Sequence, residues 1–250
     1  MKTPMTKLML AAAAATLLCL GAKADTHDAV QLWEGGPYWA TTNIGAEKPE
    51  DYGYYFWWGD TVGYTNTGSA WISVNDGTSI SFDNSGTAAS SCKDTVALLS
   101  EGYIDSTGHL TAAHDAATTH LGSPWRMPTD AEFAALLDNC TTAWIITNGV
   151  NGQLVMGKGA YADKSIFLPA AGYGYDSILD ELGSFGYYLS STPTSDIPER
   201  AWSLNFLSDG SYRYFYERCH GRSVRPVHEE LALCSADGTV TYDDPQPKGS

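Results

Sequence analysis

From Gly186 to Val227 large aromatic and aliphatic residues alternate with Ser, Asn, Asp and Arg. A period of two is the mark of strands with unlike faces. It predicts strands at Tyr187–Ser191, Ala201–Phe206, Tyr212–Tyr216 and Ser223–Val227, with Trp202, Leu204 and Phe206 turned inward and Ser203 and Asn205 outward. Shorter strands are expected at Ala143–Thr147, Gln153–Met156 and Ser165–Leu168, and Gly and Pro punctuate the aromatic runs between Val30 and Asp60.

Helical spacing occurs twice. Thr129 to Glu132 is a capping box, in which hydroxyl and carboxylate each accept a backbone amide of the other residue. It predicts a helix that buries Phe133, Leu136 and Leu137 and exposes Asp130 and Asp138. Thr111 is the expected cap of another helix running to Leu121 and stopped by Gly122. Residues 61–91 are rich in Gly, Ser, Thr and Asn, with Tyr64, Trp71, Ile72, Ile80 and Phe82 as anchors, and read as a long surface hairpin or loop. Strands, two helices and then many strands imply one α+β domain at 25–228. Residues 229–250 carry few large apolar residues and read as a tail, pinned through Cys234 if at all.

Residues 1–24 have the plan of a signal peptide: Lys2 and Lys7, an apolar core from Leu8 to Leu20, and Ala22-Lys23-Ala24 as the cleavage site. That core is shorter than the ~20 residues needed to span a bilayer. Leu17 and Leu18 lack the small residue that a lipoprotein signal places before its cysteine, so lipidation at Cys19 is not expected. The chain is therefore expected to be exported to the periplasm, the cell surface or the medium, and not to cross a membrane.

The full sequence has 14 basic and 29 acidic side chains. Removing the leader deletes three lysines and leaves a net charge of −18, which argues against nucleic acid and anionic membranes as partners. Cys92, Cys140, Cys219 and Cys234 remain, enough for two disulfides with connectivity open. Without a CxxC pair a structural zinc site is not expected.

Motifs for chemistry are missing where they were sought. There is no G-x-S-x-G elbow. His109, His114 and His120 are five and six residues apart, a spacing that points them to different faces of a helix. The acidic pairs Asp180-Glu181 and Glu229-Glu230 carry no information about separation across a sugar. Asp76-Gly77 and Asp83-Asn84-Ser85-Gly86 give a weak calcium signal that turn formation explains more simply. No cofactor is expected.

What the C-terminal pattern does offer is a contact surface. Arg200, Ser203, Asn205, Asp209, Tyr212, Arg213, Tyr214, Tyr216, Arg218 and His220 are the candidate ligand-binding residues, with the three tyrosines as anchors. Tyrosine gives large contact area at low entropic cost, and small polar groups add hydrogen bonds. Trp125, Trp202, Leu204, Phe206 and Val224 are expected in the core, and Arg126 and Arg225 are expected to tie loops through backbone carbonyls.

An ordered set of blocks spans residues 30–228: LWEGGPYWA with Asn43, Gly45 and Ala46, then YGYYFWWGD, WRMPTDAEF, SIFLPAAGY, GYYLSS, AWSLNF and GRSVRPV. In these the chain resembles the Fibrobacter succinogenes major paralogous domain family of exported bacterial proteins. The resemblance implies a C-type-lectin-like fold, two helices on a twisted, mainly antiparallel sheet with long loops. Leu189 departs from the family, which commonly has Trp there. That fold is shared with formylglycine-generating enzymes, but their paired active-site cysteines have no counterpart near Cys219, and the calcium-lectin tripeptides are missing. It is also shared with variable proteins of diversity-generating retroelements, which implies that residues 187–222 are open to diversification. The expected function is noncatalytic recognition of a polysaccharide or a cell-surface protein. An enzyme acting on an extracellular polymer and a structural envelope protein are the alternatives.

Overall fold

The computed structural model describes residues 28–83 and 93–229, with the backbone of two further strands at 232–234 and 240–242. The expected leader, Cys92, the side chain of Cys234 and residues 84–91 of the polar stretch lie outside the described residues. Strands β1 (Ala29–Gln31), β2 (Tyr38–Ala40), β3 (Tyr64–Asn66), β4 (Trp71–Ser73) and β5 (Ser79–Ile80) precede helices α1 (Thr95–Ser100), α2 (Ala116–Leu121) and α3 (Asp130–Asn139). Next come β6 (Thr141–Thr147), β7 (Val150–Met156), β8 (Ser165–Pro169), β9 (Tyr173–Tyr175) and β10 (Ile178–Asp180). The chain continues through β11 (Gly186–Pro193), β12 (Arg200–Leu207), β13 (Gly210–Glu217), β14 (Val227–His228), β15 (Ala232–Cys234) and β16 (Val240–Tyr242).

Every strand pairing is antiparallel, and the strands fall into six small sheets among the described residues. The α+β class is therefore realised with several small sheets instead of one large one. β15 and β16 form a hairpin inside the segment read as a tail. β14 pairs with β2, joining the late strands to the early ones.

The helices show where local chemistry overrides a plausible start signal. In α3 the capping box forms as expected: the Glu132 amide donates to Thr129 Oγ1 at 3.1 Å and the Thr129 amide to Glu132 Oε2 at 2.7 Å. Phe133 and Leu136 are buried, Leu137 only partly, and Asp130 is not free in solvent but bound to Arg213. α2 starts later than expected, because Asp115 and not Thr111 caps it. The Asp115 carboxylate accepts from the amides of Thr118 at 2.9 Å and Met127 at 2.8 Å, whereas the Thr111 hydroxyl donates to the Gly102 carbonyl. α1 was not expected at all; it is one turn and a half long and buries only Leu98, too little periodicity to read.

Three aromatic-rich clusters fill the interior. Phe133 and Leu136 pack with Trp39, Tyr188, Leu204, Phe206 and Val227. Phe56, Trp58, Met127, Leu189 and Val224 form a second cluster. Tyr55, Trp57, Tyr64, Trp71 and Phe82 form the third, with the Phe82 ring 4.9 Å from Trp57 and Trp71 and 5.5 Å from Tyr64. Residues 61–83 are thus no surface loop: their few anchors build a core. Trp125 is buried as expected, and Trp202 only partly.

Arg225 joins these parts. It is fully buried, and its Nε donates to Asn43 Oδ1, its Nη1 to the Ala40 carbonyl and its Nη2 to the Phe167 carbonyl, each at 2.9 Å. Asn43 Nδ2 in turn donates to the Tyr52 carbonyl at 2.9 Å and to the Tyr188 hydroxyl at 3.2 Å, and that hydroxyl donates to the Pro169 carbonyl. Burial lowers the guanidinium pKa to about 10, which leaves it charged at neutral pH. Arg126 does not follow this plan: its main partners are carboxylates, Glu132 at 2.6 and 2.8 Å and Glu229.

Two outcomes are expected from this frame. Arg225→Lys keeps the charge but loses the planar fork, leaving buried acceptors without donors, and should cost about 2–4 kcal/mol in urea unfolding. Burial raises the pKa of Glu132, but the Arg126 hydrogen bonds outweigh it and hold the carboxyl below the usual glutamate range. Its contribution is therefore complete above the unfolded value of ~4.3 and is lost as pH falls through the lower folded value. Unfolding midpoints measured from roughly pH 6 to 2 should fall less steeply for Glu132→Gln than for the wild-type chain.

Candidate functional site

The sheet β11-β12-β13 has two unlike faces, and the register assigns each side chain to one of them. Tyr188 opposes Leu204, and Leu204 opposes Arg213. Directly opposed residues share a face, so these three, with Trp202, Phe206 and Phe215, look toward α3 and the first core cluster. Tyr187 opposes Asn205, which opposes Tyr212; Leu189 opposes Ser203, which opposes Tyr214. These residues, with Ala201 and Tyr216, occupy the other face.

On that face aromatic rings form one continuous chain. Tyr175 and His220 have centroids 5.0 Å apart, His220 and Tyr173 5.5 Å, Tyr173 and Tyr187 5.3 Å, Tyr187 and Tyr216 5.4 Å, and Tyr216 and Tyr214 5.3 Å. Within it Tyr175 and Tyr214 are 45% and 44% exposed, Tyr212 is 37% exposed, and the Tyr214 ring also stacks on Phe215 with centroids 4.7 Å apart. The β9-β10 hairpin contributes its tyrosines because two bare backbones meet: Gly174 and Gly221 exchange hydrogen bonds of 2.7 and 2.9 Å. A Cβ on either would come within 2.4–2.5 Å of the Phe82 ring.

Arg222 lies under the chain. It is buried, and its guanidinium carbon lies 5.1 Å from the Tyr216 ring centre, 5.9 Å from that of Tyr187 and 6.0 Å from that of Tyr173. Nη1 donates to the Glu217 carbonyl at 2.6 Å, Nη2 lies 3.5 Å from His220 Nδ1, and Nε has no hydrogen-bond partner. The rings themselves are its remaining surroundings, an arrangement in which a cation is held by π-faces. Burial lowers the pKa of Arg222 to about 10, still well above neutrality. Burial, and then the Arg222 charge, lower that of His220 to about 4.

Carboxylates bind the ring tips. The Tyr187 hydroxyl donates to Glu181, and the Tyr173 hydroxyl lies 3.4 Å from Asp180 Oδ2. Burial raises the phenol pKa of Tyr187, and Glu181 raises it further.

Of the ten residues expected to bind, the fold brings Tyr212, Tyr214, Tyr216 and His220 together on this face. Asp209 is exposed in the β12-β13 turn. Ser203 and Asn205 are on the expected side but buried, shielded by the longer residues opposite them; Ser203 Oγ donates to Asn205 Oδ1 at 2.9 Å. Arg213 is on the opposite face, ion-paired to Asp130 at 2.5 Å and 5.7 Å from the Trp202 ring. Arg200 pairs with Glu217 at 2.8 Å. Arg218 is fully buried, donating to the carbonyls of Arg200 and Lys93 at 2.9 Å and lying 4.5 Å from the Trp58 ring. These last three therefore brace the frame.

Tyr173, Tyr175 and Glu181 lie outside the face expected at residues 187–222; Tyr187 and Arg222 lie within that stretch but were not among the ten candidate ligand-binding residues. Tyr173-Gly174-Tyr175 repeats the tyrosine alternation of β13, and that echo was the available signal.

Other candidate groups serve the fold. A cavity of about 440 Å³ is lined by Asp105, His109, Asp115, Arg126 and neighbours. Its charged groups are engaged: Asp105 accepts from Thr107, Asp115 caps α2, and Arg126 binds Glu132. His109, His114 and His120 have separate partners, in Thr192, Gly59 and Thr61. Among the described residues no three His, Cys, Asp or Glu side chains are grouped as a metal set. Asp76 accepts from the amide and hydroxyl of Thr78 in a turn; the Asn84-Ser85-Gly86 part of the other weak calcium signal lies outside the described residues. Cys140 is a buried free thiol, its pKa pushed up to about 11 by burial. Among the described residues no helix is long and apolar enough to cross a membrane. Compared with known proteins, the chain matches no family model, no curated protein and no solved structure.

His220 reports on the integrity of this face. Its folded pKa is below the unfolded value of ~6.5, so its contribution is present above that value and lost as pH falls through about 4. NMR titration should find the imidazole neutral throughout the range from pH 7 to 5; half-protonation near pH 6.5 would mean that the ring is not packed against Arg222.

Proposed function

We propose that this chain is an exported, noncatalytic binding protein of C-type-lectin-like fold, recognising a polysaccharide or a cell-surface protein through the tyrosine face. The observation that carries the reading is the unbroken run of rings linking Tyr175 to Tyr214, both of which are exposed to solvent. Rings packed mostly edge to face over a buried cation form a prearranged surface, and prearrangement reduces the entropy lost on binding. The resemblance of the sequence blocks to the Fibrobacter succinogenes major paralogous domain family supports the fold assignment, as do helices set beside antiparallel sheets.

Diversification by a retroelement would act on the exposed subset alone. Within residues 187–222 Asp209, Tyr212 and Tyr214 are exposed, whereas Ser203, Asn205 and Arg218 are enclosed.

The test is a screen of residues 25–250 against glycans and surface proteins, with calcium and with chelator. A ligand should emerge whose affinity falls at least tenfold in Tyr214→Ala while circular dichroism is unchanged. Arg213→Ala is the frame control and should lower stability more than it lowers affinity. Ligands indifferent to Tyr214 and Tyr175 would overturn the assignment of the face.

A further inference from the structure

Resting on the tyrosine face as the binding surface, we infer that its partner is a polypeptide segment bearing Arg or Lys. The charge exposed beside the rings is acidic, and the positive charge of Arg222 is buried beneath them. Asp180 and Glu181 stand at the ring tips, and Asp180 is exposed. The nearby arginines are not available to a ligand: Arg213 is paired with Asp130 on the far side, Arg200 is paired with Glu217, and Arg222 is buried under the rings. His220 is neutral at physiological pH.

The hydrogen-bonding balance has the same direction. The Tyr187 hydroxyl donates its hydrogen bond to Glu181 and the Tyr173 hydroxyl lies by Asp180, so these two phenol donors are turned to carboxylates of the site, whose oxygens can each accept a further donor. A guanidinium or ammonium supplies only donors and also favours the face of an aromatic ring. The net charge of −18 over residues 25–250 adds long-range attraction for a basic partner and repels an acidic glycan.

Two further observations favour a polypeptide over a neutral sugar. Ile178, opposite Tyr175 in the β9-β10 ladder, is 52% exposed, and Leu182 is 44% exposed, so aliphatic surface borders the rings. Tyrosine beside aliphatic side chains is the composition of a protein interface, and a sugar gains little from isoleucine and leucine. Glu181 holds a left-handed backbone, φ +56, which a residue with a long side chain adopts only when its surroundings fix it. That conformation places its carboxylate on Tyr187.

The experiment uses residues 25–250 and four probes: a capped Gly-Arg repeat peptide, the corresponding Gly-Lys peptide, maltohexaose and chitohexaose. Binding is followed by NMR and by calorimetry at two salt concentrations. The peptides should shift the ring signals of Tyr173, Tyr175 and Tyr214 and bind more weakly at high salt. Tyr214→Ala and Asp180→Asn should each weaken the Arg peptide at least threefold, whereas Tyr214→Phe and Glu47→Gln, the latter an equal charge change outside the ring chain, should not. Weakening by Glu47→Gln equal to that by Asp180→Asn would reduce the effect to net charge and overturn the inference. A neutral sugar that binds in a Tyr214-dependent way while the peptides do not would overturn the inference and leave the tyrosine face as the binding surface. If the peptides fail to bind and no sugar depends on the tyrosines, both fall.

Discussion

A guanidinium buried out of reach of bulk solvent sets the architecture. Arg225 comes from the last segment before β14, yet its three donors end on the Asn43 loop, on β2 and on β8. Taking a cation out of water is costly unless each N–H finds an acceptor, so the geometry of these three segments is fixed jointly or not at all. The same network passes through Asn43 and Tyr188 into β11, the strand that begins the tyrosine sheet. Small sheets that share no ladder are thereby held in one arrangement.

A second buried arginine uses a different solution. Where Arg225 is surrounded by carbonyl oxygens, Arg222 is surrounded by ring faces, with one carbonyl and one imidazole nitrogen beside it. Carbonyls fix position through direction. Ring faces are more permissive, but they bring neighbouring rings to a common centre, which is how Tyr173, Tyr187 and Tyr216 come to adjoin although they arise from three strands. The glycine pair Gly174 and Gly221 permits this by removing the side chains that would hold the hairpin away.

Much of this was legible along the chain, for identifiable reasons. The capping box at Thr129 and the three strands of the tyrosine sheet depend on neighbours within a few residues, and they formed where the spacing placed them, whereas the strand expected at Ser223–Val227 is reduced to Val227–His228 because those residues bridge to separate elements. What escaped depends on distant partners. Asp115 caps α2 because Met127 also donates to it, and nothing near Asp115 reveals that. Alternation placed Ser203 and Asn205 on the correct face but is silent on the height of their neighbours, so short side chains between tyrosines were read as exposed. The arginines in the same run were read as contacts because sequence shows a charge but not the carbonyl or carboxylate that will take it.

The alternation of β13 has a consequence for how this surface can change. Tyr212, Tyr214 and Tyr216 look out, and Arg213 and Phe215 look toward α3, so a shift of one residue exchanges the two sets. Losing or gaining a single residue in this strand would bury phenols against the helix and strand a guanidinium on the outer face. Lineages that alter what the surface touches are therefore confined to replacing side chains at constant length, and their alignments through this hairpin should be free of gaps.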